Sequence, residues 1–257
     1  MDLDLDGRVA LVCASTAGLG LASARALAAE GAHVVISGRR GDVAKAIAAQ
    51  LPKASWVEID LTEGGAADHL VAEATAQAGP IDILVLNGPG PAPGTAADLD
   101  PATAGGALEQ LLLGHVRLVS KVLPGMRERG WGRIVAIGSS GVVAPLPNLA
   151  ASNTGRAALA AYLKTLAAEV AADGVTVNMV VPGRIATDRV AELDRRTAER
   201  TDRTTEEVRV ASETSIPIRR YGRPEEFGAT VAFLAGRPAS YLTGIVVRCD
   251  GGLVRSI

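Results

Sequence analysis

Val9-Ala10-Leu11-Val12-Cys13-Ala14-Ser15-Thr16-Ala17-Gly18-Leu19-Gly20 is the stretch on which the fold turns. Its first five residues are uninterrupted apolar or small, as in a strand buried on both faces. A tight turn of small residues follows, and Leu19–Glu30 then runs on with helical period. A turn of this kind aims backbone N–H groups at a pyrophosphate from the helix N-terminus. Gly20 lets helix and strand pack closely. Alone, the turn also reads as an ordinary strand-to-helix connection; its place in the first βα unit of a repeating pattern favours a dinucleotide.

Outward from this stretch, apolar runs of strand length alternate with Ala-rich helical segments. Val9–Cys13, His33–Ser37, Ser55–Ile59, Ile83–Leu86, Arg133–Ile137, Thr176–Val181 and Ile245–Arg248 read as strands. Leu19–Glu30, Ala66–Ala78, Ala107–Arg129 and Ala150–Ala172 read as helices. Such alternation predicts an α/β chain with a parallel sheet covered on both faces. No repeat or linker divides the chain, so residues 1–257 are read as one domain.

Two regions depart from the pattern. Gly88-Pro89-Gly90-Pro91-Ala92-Pro93-Gly94 is a stiff irregular loop after the fourth strand. Residues 188–215 carry Arg189, Arg195, Arg196, Arg200, Arg203 and Arg209. They read either as a solvated helical excursion or as a substrate lid with basic residues facing an anion.

Hydrophobic residues make up 48% of the chain and aromatic ones only 3%, so the core is aliphatic. The net charge of -2 asks for neither nucleic acid nor an acidic membrane surface. The acidic start and the absence of a long apolar run predict a cytoplasmic protein without a signal peptide or membrane span. Cys13 and Cys249 fall at the ends of predicted strands and read as small core residues, with no disulfide framework and no metal site.

These motifs together resemble the short-chain dehydrogenase/reductase family along nearly the whole chain. The resemblance implies a doubly wound, seven-stranded Rossmann fold. Cys13 through Gly20 is similar to the family's Thr-Gly-x-x-x-Gly-x-Gly turn, with Cys13 and Ala14 in place of its Thr and first Gly. Cofactor contacts are thereby implied for Ala14, Ser15, Thr16, Gly18, Leu19 and Gly20. Asp60 and Leu61 stand where the family meets adenine, and Asn87-Gly88 where it has Asn-Asn-Ala-Gly. Pro182, Gly183, Ile185 and Thr187 stand beside the nicotinamide amide. Tyr241–Gly244 and Asp250–Gly252 match the family's C-terminal end. The second strand ends Ser37-Gly38-Arg39-Arg40 with no acid to hold a ribose 2′-hydroxyl. Arg39 instead suits a 2′-phosphate, which points to NADP, with NAD as the alternative. The other reading of these arginines is solvated charge at a helix start.

At the catalytic end the likeness breaks. The family uses a Ser, a Tyr-x-x-x-Lys pair and an upstream Asn. Ser139 falls at the Ser position, but Ser152 stands for Tyr, Arg156 for Lys and Leu111 for Asn. None of Tyr162, Tyr221 and Tyr241 has a Lys four residues on. Ser152 can relay a proton but is a poor source of one, whereas Arg156 can hold a ribose hydroxyl or an oxyanion. His115, one helical turn after Leu111, is a candidate replacement acid or an interface residue.

Three functions fit. The first is an oxidoreductase acting on a small carbonyl or alcohol, with Ser139, Ser152 and Arg156 in an altered proton path; the overall likeness is to 3-oxoacyl-(acyl-carrier-protein) reductases. The second is a nucleotide-binding sensor or partner subunit without turnover. The third is an isomerase or lyase. The family resemblance also implies a homo-oligomer, a tetramer or dimer, through the two long helices.

Overall fold

In the computed structural model, which describes residues 1–256, seven strands form one parallel sheet. They are β1 (Val9–Val12), β2 (His33–Gly38), β3 (Ala54–Glu58), β4 (Ile83–Leu86), β5 (Gly132–Ile137), β6 (Val175–Pro182) and β7 (Val246–Cys249). The order is β3-β2-β1-β4-β5-β6-β7. The order reverses between β1 and β4, which opens a crevice at the carboxyl ends of the strands. The fold is thus the doubly wound Rossmann sheet that the alternation implied.

Helices cover both faces. Alternation along β1 sends Val9, Leu11 and Cys13 into one core layer and Ala10 and Val12 into the other. The first layer is closed by α3 (Ala66–Ala78), α5 (Gly114–Glu128) and α6 (Ala150–Val170), through residues such as Leu70, Leu118 and Leu163. The second is closed by α1 (Gly18–Ala29), α2 (Gly41–Ala48) and α9 (Pro224–Ala235), through Leu27, Ile47 and Phe227. With so few aromatics, the layers rely on Ala and Gly for close approach.

The helix expected over Ala107–Arg129 begins earlier and is not uniform. Asp100 caps α4 (Pro101–Leu108) by accepting from the N–H groups of Ala102 and Thr103 at 2.8 and 3.0 Å, with Pro101 behind it. A π-helical turn, Glu109–Leu113, then leads into α5. Cys13 lies one residue past β1, fully buried, and burial pushes its thiol up to about 12. Cys249 closes β7 and is partly exposed, with its thiol also raised by burial. No helix among the described residues is long and apolar enough to cross a membrane.

Residues 188–215 fold as α7 (Asp188–Thr201) and α8 (Thr205–Ser215), separated by Asp202 in the left-handed region. A Thr204–Glu207 capping box starts α8. The pair is fastened at Asp194, which is 3% exposed. Its carboxylate accepts from Arg184 at 2.8 Å and from the Tyr221 hydroxyl at 2.8 Å.

Gly228 in α9 faces the backbone of α1 so closely that a Cβ there would overlap the Ala22 carbonyl oxygen. Gly228→Ala must therefore push the two helices apart. A loss of about 1–3 kcal/mol is expected in chemical denaturation; unchanged stability would contradict this packing.

Candidate active site

The turn between β1 and α1 is built by three local constraints. Ser15 is fully buried: its N–H donates to the Ser37 carbonyl at 2.8 Å and its hydroxyl to the Val12 carbonyl at 2.8 Å. Its side chain therefore ties β1 to β2 and does not face the crevice. Ala14 takes φ 46° and Gly18 φ 57°, both in the left-handed region. Gly20 sits where a Cβ would lie 2.6 Å from the Ala14 carbonyl oxygen and 2.7 Å from Asn87 Nδ2. Asn87, just past β4, donates from Nδ2 to that same Ala14 oxygen at 3.1 Å. The N-terminus of α1 has no side-chain cap and no acidic residue in its first turn. Its N–H groups and the positive end of its dipole are left for an anion.

At the end of β2 the two arginines differ. Arg40 donates to the Thr16 carbonyl at 3.0 Å and to its hydroxyl at 2.9 Å, bracing the turn. Arg39 remains 70% exposed with only a loose approach of 3.9 Å to Asp60. Asp60 in turn accepts from the Thr62 N–H and hydroxyl at 3.0 and 2.8 Å, which holds its carboxyl below the ordinary range. Leu61 packs partly buried beside it against the core.

The loop after β4 crosses to the segment before α6. Gly94 donates its N–H to the Asn148 carbonyl at 2.9 Å and accepts from Ala150 at 3.1 Å. Beneath it, a Cβ on Gly88 would lie 3.9 Å from Nε2 of His115. His115 is 4% exposed. Its Nδ1 pairs with the Leu111 carbonyl in the π-helical turn at 2.9 Å, so that nitrogen carries the proton. Burial, with the nearby charge of Arg156, lowers its pKa and keeps the ring neutral at pH 7. π-helical turns recur where a helix serves a site.

Ser139 leaves β5 and caps a single 3-10 turn, its oxygen accepting from the Gly141 N–H at 3.2 Å. Ser152 lies in the first turn of α6, partly exposed. Asn153 beside it pairs with both backbone groups of Leu146, at 2.9 and 3.3 Å, and so fixes the flank of the crevice. Arg156 follows one helical turn after Ser152, on the same face. Its Nη1 donates to the carbonyls of Ile137 at 3.0 Å and Gly138 at 3.3 Å, directly before Ser139. Burial draws the pKa of the guanidinium down, and it remains a cation.

Beyond β6, Pro182 ends the strand and Gly183 passes so near the backbone of Asp250 that a Cβ would lie 2.7 Å from its Cα. Ile185 pairs its backbone with Gly222 and is buried. Thr187 precedes α7, and its methyl faces Gly18 across the crevice, 4.0 Å from where a Cβ on that glycine would stand. These segments close the crevice opposite α1. Most arginines of 188–215 are paired, as on a solvated helix: Arg195 and Arg196 with Glu192, Arg209 with Glu213, and Arg203 with the Glu207 carbonyl. No cluster of three His, Cys, Asp or Glu suited to a metal occurs among the described residues.

Asn153 and the Asp194–Arg184–Tyr221 tie carry no signal in the sequence. An Asn one turn into a helix gives no signal of which loop it clasps, and the tie joins three distant segments.

The fold is shared widely. The family described as enoyl-(acyl carrier protein) reductase matches residues 13–254. The 3-oxoacyl-(acyl-carrier-protein) reductase FabG of Aquifex aeolicus is 35% identical, over 98% of this chain and 100% of its own. The L-sorbose reductase of Gluconobacter frateurii, solved with NADPH and L-sorbose, superposes with TM-score 0.94 at 30% identity over 100% of both chains. An actinorhodin polyketide ketoreductase solved with NADPH gives TM-score 0.90 at 32% identity, over 96% of this chain and 97% of its own. The chain belongs to the short-chain dehydrogenase/reductase family, within its enoyl-(acyl carrier protein) reductase group.

Ala14 holds a left-handed conformation that costs an L-residue about 1 kcal/mol or more. Ala14→Gly is expected to raise the unfolding free energy by up to about 1 kcal/mol once the greater freedom of the unfolded glycine chain is counted. A fall in stability would show that the turn carries no such strain.

Proposed function

We propose that this chain is an NADP-dependent oxidoreductase acting on the carbonyl or alcohol of a small molecule. The observation that carries the reading is the cradle at Gly20, which no Cβ can share, beneath the uncapped start of α1. It suits a pyrophosphate held by Thr16, Gly18, Leu19 and Gly20, with Ala14 setting the curve of the turn. Exposed Arg39, at a strand end that lacks an acid, suits a 2′-phosphate and favours NADP over NAD. Asp60 and Leu61 would border the adenine, and Asn87 and Gly88 the adjoining ribose. Pro182, Gly183, Ile185 and Thr187 would border the nicotinamide amide.

Bound there, the cofactor supplies or accepts a hydride. The protein must orient the carbonyl and move one proton. Ser139 donates a hydrogen bond to the carbonyl oxygen. Arg156 places positive charge beside the end of β5, where negative charge develops on that oxygen. Ser152, an aliphatic hydroxyl, relays a proton from water. A general acid of ordinary strength is worth roughly 10²–10⁴-fold, so this path is slower than one with a tuned phenol. We place the protein in the cytoplasm as a homo-oligomer paired through α4–α5 and α6, following the family's habit.

The lack of a titratable acid at position 152 also favours a second reading, a nucleotide-binding partner or sensor without turnover.

NADPH consumption with a panel of ketones, aldehydes and oxo acids separates the two. The oxidoreductase reading expects turnover with at least one class, and a fall of about 10–100-fold in kcat for Ser152→Ala. Turnover that is indifferent to Ser152→Ala would remove the serine from the proton path. No consumption by any class, despite tight NADPH binding, would leave the sensor.

A further inference from the structure

The guanidinium of Arg156 has no carboxylate partner among the described residues. Its Nη1 is taken by two backbone carbonyls, and burial is the sole cause of its lowered pKa. Nε and Nη2 donate to no protein atom. Among the described residues the one sealed, unpartnered side-chain polar atom is Nε of Arg133, on a different element. Nε and Nη2 of Arg156 are therefore unpartnered without being fully sealed. This edge of a guanidinium carries two parallel N–H groups, the fork that a carboxylate matches with two hydrogen bonds.

The surroundings do not neutralise this charge. Ser152, one turn back on the same face, bears a hydroxyl that does not ionise. Ser139 is likewise neutral. His115, the nearby titratable side chain that senses Arg156, is held as neutral imidazole. The arginines of α7 and α8 add no acid here, because their glutamate partners are engaged in helical pairs. A partly desolvated cation without a counter-charge is costly, and the cost falls when a ligand brings the anion. A nicotinamide ribose brings only neutral hydroxyls.

We propose that the crevice takes an oxo acid, a substrate whose carboxylate lies one or two bonds from the reacting carbonyl and seats on the Nε–Nη2 edge of Arg156. This rests on the oxidoreductase reading and narrows it to a substrate class. The carbonyl carbon gains a hydride from NADPH and its oxygen gains a proton that Ser152 relays from water. The products are the hydroxy acid and NADP⁺, and the carboxylate is unchanged. Fixing the carboxylate also fixes the carbonyl, so orientation offsets part of what the missing phenol would contribute.

The test compares pyruvate, 2-oxobutyrate and acetoacetate with their methyl esters as substrates of the NADPH-loaded protein. Truncating one partner of a buried charge pair generally costs at least ~30-fold, so acids should exceed esters by that factor in kcat/KM. In Arg156→Met the preference should collapse to within about threefold, and Arg156→Lys, which keeps the charge without the fork, should fall between. Esters that equal the acids, or a preference that survives Arg156→Met, would overturn the proposal. Calorimetry with oxamate and neutral oxamide reads the same contact without turnover. If NADPH binds but no carbonyl compound is reduced, the oxidoreductase reading fails alone, and oxamate binding at least ~10-fold tighter than oxamide would still support the carboxylate seat. Equal binding of the two, or binding of neither, would overturn it.

Discussion

The side-chain amide of Asn87 reaches the Ala14 carbonyl at 3.1 Å because Gly20, between them, has no Cβ. This one close approach joins the carboxyl end of β4, the turn after β1 and the start of α1. From it follow the direction of α1, the exposure of its first N–H groups and the width of the crevice at the switch point of the sheet. Ser15 and Ser37 support it from below through the Val12 carbonyl. Ala14 bears the strain of the turn without the glycine that would carry it freely. The half of the crevice beside α1 is thus held by backbone geometry more than by charged side chains.

The other half depends on Arg156. Where a lysine would present a compact point charge, the guanidinium divides its work. One nitrogen fastens α6 to the end of β5, and the opposite edge donates to no protein atom. The π-helical turn and Gly155 make room for this. A Cβ on Gly155 would lie 2.9 Å from Leu111 Cδ1, so α6 can settle against α4 and the turn only with glycine there. His115 then closes the gap behind Leu111, spending its proton on that residue's carbonyl. The result is a packed, largely neutral wall with one cation set in it. That arrangement suits recognition of an anion better than the tuning of a phenol, for which no tyrosine is placed.

Much of this was legible in the chain. The strands follow from unbroken apolar runs such as Ile83–Leu86, because a strand buried on both faces cannot alternate. Ser139, Ser152 and Arg156 were found by register with a known motif, and the structure brings Arg156 to the strand end just before Ser139. The start of α4 is hidden because its Pro-Ala-Thr-Ala-Gly-Gly opening lacks apolar period; its one signal is the Asp100-Pro101 cap. The π-helical turn left no trace in the sequence, since it differs from an α-turn only in which carbonyl is reached. The arginines of 188–215 read either as solvated charge or as a basic face; their glutamates lie three and four residues away, a spacing that pairs them along the helix. Ser15 was placed among cofactor contacts by its position in the turn, but its hydroxyl and N–H are consumed within the sheet.

The proposed function stands on NADPH binding in this crevice, and the most direct measurement is a fluorescence titration of the purified protein with NADPH and with NADH. The account predicts saturable binding of NADPH in the micromolar range and binding of NADH weaker by about tenfold or more, the worth of one charge-assisted contact to the 2′-phosphate. No binding of either at about millimolar concentration, roughly -4 kcal/mol or weaker, would contradict it and show that Ala14 and the proline-rich loop close the crevice.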